Sequence, residues 1–288
     1  CAIFIKYEFW MNYLLELKKR AIKTYIVSAI FRESQLFFKW YGGYYRNLLK
    51  SFNHLFVQND ESVRLLHSIG FDNVTKVGDT RFDRVADIAS NAKELPIVQL
   101  FKCDKKVLVA GSSWPNDEEI LLSYFNQNKD IKLIIAPHEI HEEHLQSIIS
   151  KLKRPYLRYS QATTENISEA DCLIIDCFGL LSSIYRYGEI AYIGGGFGVG
   201  IHNILEAAVY GIPVIFGPNF RKFQEAVDLQ QKGGAFVIEN YESFSQIMSE
   251  FLEENSSLYS SACKVSNDYS QANKGATSKV VNAIFNQR

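Results

Sequence analysis

Residues 192–219 contain the pattern that most restricts how this chain folds. They read as a strand, a glycine-rich loop, a helix from His202 or Asn203 to Gly211, and a second strand. Three consecutive glycines begin the loop at Gly194, and glycine lets a backbone approach a ligand closely. The free N–H groups at a helix start favour an anion. The alternative is an ordinary crossover whose glycines only allow tight turns.

Apolar strands alternate with helical segments along the whole chain, which predicts parallel α/β sheets. Residues 85–102 interrupt this alternation, so we place a domain boundary there, with one domain at residues 1–95 and another at 96–288. The tail, residues 241–287, is predicted to be mostly helical. The predicted fold is two Rossmann-like, doubly wound domains that face a cleft. The predicted strands are 2–5, 24–30, 54–58, 74–77, 106–110, 131–136, 171–175, 189–193 and 233–237, with one more beginning at Pro213.

Composition excludes several classes of function. A content of 47% hydrophobic residues over 288 positions allows a sizeable core, and a net charge of −1 argues against a nucleic-acid surface built on bulk positive charge. The five cysteines follow no framework spacing, and Cys172 and Cys177 are expected to be buried thiols in a reducing compartment. Their spacing is a poor zinc signature.

The chain opens inside an apolar segment, residues 1–5, with no initiating Met and no preceding turn. We therefore expect it to be a fragment whose first domain is incomplete. No apolar run approaches the roughly 20 residues that a membrane span needs.

Six clusters of candidate site residues follow five of the predicted strands, at or just beyond the point where each strand ends. Ligands of open α/β sheets bind at the carboxyl ends of strands, so six such clusters predict one site. The clusters are Glu8, Ser112 with Ser113, Pro137 with His138, Asp176, Gly195 with Gly196, and His202 with Asn203.

Several of these motifs resemble those of the 3-deoxy-D-manno-octulosonic acid (Kdo) transferases, glycosyltransferases of the two-domain GT-B architecture. The resemblance covers almost the whole chain, and its most specific part is Gly-Gly…His-Asn-x-x-Glu…Gly-Pro. The residues that carry it are 6–10, 28–34, 58–61, 78–83, 110–113, 136–138, 176–179, 194–196, 202–206 and 216–218.

This chain departs from the family pattern at four positions. Lys6 replaces the first glutamate of the family's E-x-E-x-W-P region, and Met11 replaces its proline. His138 stands where the family often has another basic residue, and Trp114 stands where it has a histidine. The family's catalytic glutamate and membrane-proximal segment are not found in this sequence, so we expect the catalytic base upstream of Cys1.

The resemblance implies CMP-Kdo as donor, a lipid A precursor as acceptor, no cofactor and no metal. It also implies a membrane surface as partner, no nucleic acid, and a place at the cytoplasmic face of the inner membrane. Two alternatives stay open: another GT-B nucleotide-sugar transferase or epimerase, and a nucleotide-binding fragment without catalysis. The implied donor-binding residues are Ser112, Ser113, Pro137, His138, Gly194, Gly195, Gly196, His202, Asn203 and Glu206, with Glu8 and Arg32 on the acceptor side.

Each polar role has a structural alternative. Glu206 can accept from both ribose hydroxyls or merely favour the first turn of its helix, and Asn203 can contact phosphate, cap the helix, or do both. Ser112 and Ser113 can bind the donor or only cap a helix. His138 is a ligand contact or a satisfied loop residue. Arg32 pairs with a substrate carboxylate or phosphate, or forms a structural salt bridge.

Two further segments have competing interpretations. His141 and His144 lie one helical turn apart without a third ligand in sequence, so we interpret them as a solvated helix face. A predicted helix over residues 37–49 is rich in aromatic residues, and such a stripe is usually core. Trp40, Tyr41, Arg46 and Lys50 can instead help to reach a lipid acceptor at a membrane surface.

Overall fold

The computed structural model describes residues 1–286 and divides the chain between two compact α/β units. Unit 1 comprises Cys1–Arg84 and Asn273–Arg288, and unit 2 comprises Val85–Ala272. Both sheets are parallel throughout, which confirms the predicted fold class. Gln287 and Arg288, at which the predicted helical tail and second domain end, lie outside the described residues.

Unit 1 is built on a four-stranded sheet in the order β1-β2-β3-β4. Phe31, Leu55 and Leu66 are among the buried side chains that pack against it. Its strands are β1 (Ala2–Ile5), β2 (Thr24–Ala29), β3 (His54–Val57) and β4 (Val74–Lys76).

The helices of the two units are α1 (Met11–Lys19), α2 (Gly43–Leu49), α3 (Asp60–Ser68), α4 (Arg81–Ser90), α5 (Pro96–Lys102), α6 (Pro115–Gln127), α7 (Glu142–Lys151), α8 (Leu181–Ile184), α9 (Leu205–Ala208), α10 (Gln224–Lys232), α11 (Tyr241–Leu252), α12 (Ser257–Ala272) and α13 (Ala276–Phe285).

Unit 2 contains a seven-stranded sheet in the order β11-β10-β9-β5-β6-β8-β7. The long central strands are buried along almost their whole length, as expected for a parallel sheet covered on both faces. Its strands are β5 (Lys106–Ser113), β6 (Ile131–Pro137), β7 (Tyr156–Arg158), β8 (Cys172–Ile174), β9 (Ile190–Ile193), β10 (Val214–Phe216) and β11 (Ala235–Val237). Four elements, β7, α4, α5 and α10, were not predicted from the sequence.

The last helix, α13, belongs to unit 1, whereas the prediction placed it in the second domain. Its buried Val280 packs in one cluster with Val27, Phe56 and Val77 of the unit 1 sheet. The carboxylate of Asp83 accepts from the backbone N–H groups of residues 275 and 277, at 2.6 and 2.7 Å, and so anchors the helix start. The apolar face of α13 therefore completes a core that lies far away in sequence.

The predicted helix over residues 37–49 is two separate elements. Leu36–Phe38 form a single 3-10 turn, and α2 begins only at Gly43. A side chain at Gly42 would place its Cβ 2.0 Å from the carbonyl oxygen of Leu36, so the chain turns tightly there. Arg46 of α2 donates to the carbonyl oxygens of Phe37 and Lys39, at 3.1 and 2.9 Å, which an unbroken helix would have satisfied itself.

Among residues 1–286, no helix combines the length and the apolar character that crossing a membrane requires.

Candidate functional site

The central strand of unit 2, β5, lies between β9 and β6. Strands β6, β7 and β8 lie on one side of β5, and the later strands β9, β10 and β11 lie on its other side. Such a change of direction opens a crevice beyond the carboxyl ends of the strands. The segments that follow β5, β6 and β9 carry most of the predicted donor-binding residues. The topology thus brings three distant parts of the sequence to one edge of the sheet.

Asp117 holds two of these segments together. Its side chain is fully buried, and Oδ2 accepts from the backbone N–H groups of Trp114 and Gly195, each at 2.9 Å. Oδ1 accepts from the Tyr192 hydroxyl at 2.7 Å. Burial raises the pKa of Tyr192, and the neighbouring carboxylate raises it further, so this hydroxyl keeps its proton as a donor. Asp117 is not among the site residues predicted from the sequence.

Three aromatic rings form what we call the ring cluster: Trp114, His138 and His202. The ring centroid of His138 lies 4.6 Å from that of Trp114 and 4.4 Å from that of His202, and both pairs are stacked. The indole N–H of Trp114 donates to Nε2 of His202 at 3.1 Å, so the proton of a neutral His202 sits on Nδ1. Burial lowers the pKa of His202, and His138 lowers it further, which favours the neutral ring. The cluster unites two predicted site residues with Trp114, which was named only as a departure from the family.

The glycine loop after β9 has structural reasons for its composition. A Cβ at Gly194 would lie 2.1 Å from the Ser112 carbonyl oxygen, and one at Gly196 would lie 2.5 Å from the Gly217 nitrogen. Gly195 has a φ of +93°, which favours glycine.

The amides of this loop are largely used by the fold. The N–H of Gly194 donates to Gly111, that of Gly195 to Asp117, and that of His202 to Gly194. We expect Gly195, Gly196 and the N–H groups near His202 to cradle a phosphate; the amides of Gly195 and His202 already donate within the fold, and the role of the other amides stays a prediction. That the loop lines a ligand site stays a prediction.

Asn203 and Glu206 lie together beside the loop. The side-chain Nδ2 of Asn203 donates to Glu206 Oε1 at 3.0 Å, and its Oδ1 accepts from the Leu205 amide at 3.3 Å. The N-cap of α9 is Ile204, so the predicted N-cap role of Asn203 is wrong, although its side chain bonds the first amide of the helix from one position earlier. The helix that it precedes, α9, is four residues long and begins later than predicted. Both side chains are half-buried, so Glu206 still has an exposed part with which to accept hydrogen bonds from a ligand.

The carboxyl ends of β5 and β6 contain three predicted site residues, Ser112, Ser113 and Pro137. Ser113 is fully buried, and its hydroxyl donates to Glu118 Oε1 at 2.9 Å, whereas Ser112 is half-buried with a φ of +53° at an irregularity between β5 and β6. Pro137 is buried as the last residue of β6. The predicted capping role of the serines is wrong, because the N-cap of α6 is Trp114.

His141 and His144 differ in exposure, so the prediction of a common solvated face is wrong for His144. The side chain of His141 is 56% exposed, but that of His144 is 7% exposed. His144 turns inward because its Nε2 lies 2.9 Å from the buried Glu118 carboxylate.

Asp176, another predicted strand-end residue, accepts from the backbone N–H of Ser160 at 2.9 Å and from the Ser160 hydroxyl.

Glu8 and Arg32 lie in unit 1, both on the surface. Glu8 accepts from the indole N–H of Trp10, and the Arg32 guanidinium lies 5.9 Å from the ring centroid of Tyr7. Glu8 thus makes a hydrogen bond and Arg32 a cation–π contact. That either residue contacts an acceptor stays a prediction.

A buried ion-pair network in unit 1 was missed by the sequence analysis. Asp79 accepts from Lys6 at 3.2 Å and from Arg81 at 2.7 Å. Burial raises the pKa of Asp79, but the hydrogen bond from Arg81 and the charges of Arg81 and Lys6 outweigh it and hold the pKa below its usual value. In the sequence, the only indication of this network was the run 78–83 after β4, which contains Asp79 and Arg81.

A cavity of about 320 Å³ opens beside the ring cluster. Trp114, Phe197, Asp117 and Gly195 are among the residues that line it. An aromatic wall of this kind can stack on a flat ring.

Sequence comparison places the chain among known proteins. Residues 1–84 match the family model of 3-deoxy-D-manno-octulosonic-acid transferase (kdotransferase). Proteins named 3-deoxy-D-manno-octulosonic acid transferase match from Rickettsia felis (30% identity, 89% of this chain, 56% of the relative) and Rickettsia prowazekii (28%, 89% and 57%). The Aquifex aeolicus relative is 28% identical over 83% of this chain and 62% of its own length. The chain thus spans about three-fifths or less of these relatives.

Solved structures show the same fold at low identity. The C-terminal CMP-Kdo binding domain of WaaA from Acinetobacter baumannii matches with a TM-score of 0.52 and 20% identity, over 67% of this chain and all of that domain. A UDP-N-acetylglucosamine 2-epimerase matches with a TM-score of 0.67 and 13% identity, over 99% of this chain and 73% of the epimerase. These likenesses confirm the GT-B-type, Rossmann-like fold. The sequence matches show that the chain is similar to 3-deoxy-D-manno-octulosonic acid transferases over most of its length.

Proposed function

We propose that this protein acts in the transfer of Kdo from CMP-Kdo to a lipid A precursor during lipopolysaccharide biosynthesis. The observation that carries the proposal is the similarity to Kdo transferases, which extends over 89% of the chain and so includes most of both units. Because the chain spans 57% of that relative, the activity of the whole protein is inferred from the family.

Unit 2 has the groups that a nucleotide monophosphate needs. In this proposal the ring cluster stacks on or borders the cytosine, and the carboxylate of Glu206 accepts hydrogen bonds from the ribose hydroxyls. Asn203 supports that role, because its Nδ2 donates to one carboxylate oxygen at 3.0 Å and orients the group. Transfer also needs stabilisation of the departing phosphate and a base for the acceptor hydroxyl. We assign no residue to the base.

Nucleotide binding tests the donor half of the proposal. Isothermal titration of the 288-residue chain should show CMP binding that is tighter than UDP binding. Glu206→Ala should weaken CMP binding, whereas Glu239→Ala, a change at an exposed carboxylate outside the site, should leave it unchanged. Equal or tighter binding of UDP would count against a CMP-sugar donor.

Turnover tests the chemical half. Protein incubated with CMP-Kdo and a lipid A precursor should release CMP in an acceptor-dependent manner. Binding of CMP without any release would support a nucleotide-binding fragment without catalysis. If this chain does not release CMP, it can be fused to the segment that its relatives have in addition. CMP release by the fusion would then support the Kdo transferase reaction.

A second candidate is a nucleotide-sugar epimerase or another GT-B transferase. The observation that favours it is that an epimerase matches 99% of this chain with a TM-score of 0.67, above the 0.52 of the CMP-Kdo binding domain. Tighter binding of UDP, followed by turnover of a UDP-sugar, would establish this candidate. Sequence similarity favours the first.

In this proposal, unit 1 meets its lipid acceptor at the cytoplasmic face of the inner membrane. Trp40, Tyr41 and Tyr44 are 91%, 57% and 60% exposed, whereas Phe37 is buried, so only part of this aromatic segment is core. Exposed aromatic rings beside basic side chains suit a lipid–water interface. Cosedimentation with anionic vesicles should fall for Trp40→Ala with Tyr41→Ala, and equal cosedimentation of wild type and variant would remove this surface from the proposal.

A further inference from the structure

Three potential metal ligands meet where β6 gives way to α7. The carboxylate of Glu139 and one ring nitrogen from each of His141 and His144 all lie within 4.8 Å of one another. The sequence analysis had set the two histidines aside because a third ligand was missing. The structure supplies Glu139, two residues before the first histidine. We propose that Glu139, His141 and His144 form a binding site for a divalent transition metal of the zinc type.

The surroundings of His144 are those of a metal ligand. Its Nε2 lies 2.9 Å from Glu118 Oε2, and its Nδ1 lies 2.9 Å from the backbone carbonyl oxygen of Glu139. Both neighbours are acceptors, whereas a neutral imidazole has a single N–H to donate. A doubly protonated ring donates to both acceptors, and a metal on Nδ1 would take the place of one of these protons while Nε2 still donates to Glu118. Metal-binding histidines commonly make this bond to a carboxylate with their second nitrogen.

Glu118 is itself fixed in place. Its carboxylate is almost fully buried, and its other oxygen accepts from the Ser113 hydroxyl at 2.9 Å. A buried carboxylate that is held from one side is a rigid support for the imidazole on its other side. The orientation of His144 is therefore set by the core of unit 2 and does not depend on a metal being bound.

His141 and Glu139 provide the open side of the site. Their side chains are 56% and 51% exposed, and His141 Nε2 lies 3.1 Å from Glu139 Oε2. A metal would replace the proton between them, which leaves the proton of His141 on Nδ1. That nitrogen now accepts from the His144 amide at 3.2 Å, but the same amide also donates to the His141 carbonyl at 3.1 Å. The start of α7 thus keeps a hydrogen bond when the ring changes its role.

The ligand set indicates the class of metal. Two imidazoles and one carboxylate suit Zn²⁺ and similar borderline ions, with water in the remaining position. Glu142, in the first turn of α7, is neutralised by Arg158 at 2.7 Å and is therefore not counted among the ligands. A metal here would tie the loop that begins at His138 to helix α7.

The test is titration of the tag-free 288-residue chain with ZnCl2, followed by isothermal calorimetry, and with Co²⁺, followed by visible absorption. We expect one Zn²⁺ per chain and a Co²⁺ spectrum typical of nitrogen and oxygen ligands. His141→Asn keeps a side chain that caps a helix but removes the imidazole, and Glu139→Gln removes the charge alone. Each should weaken Zn²⁺ binding by at least about 10-fold, the lower range seen when even outer-shell partners are lost.

Two matched variants control for unspecific effects. His67→Ala removes an exposed histidine in the last turn of α3, and Glu143→Gln removes an exposed charge from α7 outside the ligand triad. Neither should change Zn²⁺ affinity by more than about two-fold, since neither residue is a ligand. Absence of stoichiometric binding by the wild-type chain overturns the proposal. So does binding that His141→Asn and Glu139→Gln leave unchanged, because the metal then lies elsewhere, for example on the cysteines.

Discussion

The substitution Asp117→Ala is the sharpest test of how the candidate site is built. The carboxylate accepts from two backbone amides and the Tyr192 hydroxyl at 2.7–2.9 Å. Of these donors, the Gly195 amide and the tyrosine hydroxyl are buried, whereas Trp114 is half-buried and can be reached by water. A buried donor that loses its acceptor costs about 1–3 kcal/mol, so two of them cost about 2–6 kcal/mol. Asp117→Asn keeps one oxygen for the amides, and we expect a smaller loss of about 1–3 kcal/mol.

Unit 2 contains one of the three tryptophans, Trp114, while Trp10 and Trp40 lie in unit 1. Urea unfolding followed by tryptophan fluorescence in a Trp10→Phe, Trp40→Phe background therefore reports on unit 2 alone, which avoids fitting two units as one transition. Glu119→Gln is the matched control. This carboxylate is 70% exposed and pairs with Lys151 at 3.8 Å, and such a surface pair contributes about 0–1 kcal/mol. A loss below about 1 kcal/mol for Asp117→Ala would refute the reasoning, because single buried hydrogen bonds already contribute that much.

Three further predictions concern the loop, unit 1 and the ligand. Gly196→Ala should destabilise unit 2 by about 1–3 kcal/mol, because its Cβ would lie 2.5 Å from the backbone nitrogen of Gly217; Gly198→Ala, whose nearest contact is at 3.6 Å, should have little effect in the same urea assay. The lowered pKa of Asp79 means that its stabilising contribution is present above the ordinary value of 3.8 and is lost as pH falls through the lower folded value. Asp79→Asn should therefore flatten the acid dependence of unit 1 stability below pH 3.8, and an unchanged pH profile would contradict the ion-pair network. Glu206→Ala should weaken CMP binding by about 1–3 kcal/mol in calorimetry, and unchanged affinity would remove this carboxylate from the site.

Elements whose signals are local can be predicted from the sequence. Buried strands such as β5 and β6 appear there as continuous apolar runs. The prediction was wrong where distant residues compete with local propensity. The aromatic segment over residues 37–49 reads as one helix, but Phe37 is drawn into the core and Arg46 satisfies the carbonyls left by the break.

The sequence alone determined the parallel α/β class, most strand positions, and the motifs that resemble those of Kdo transferases, because apolar periodicity and glycine placement are local properties. Only the tertiary structure decided which of those residues meet. It joined Trp114, His138 and His202 into one ring cluster, since they follow three strands that are neighbours in the sheet and distant in sequence. It also showed the glycine loop as a close-packed segment held by Asp117, a contact that no spacing along the chain specifies.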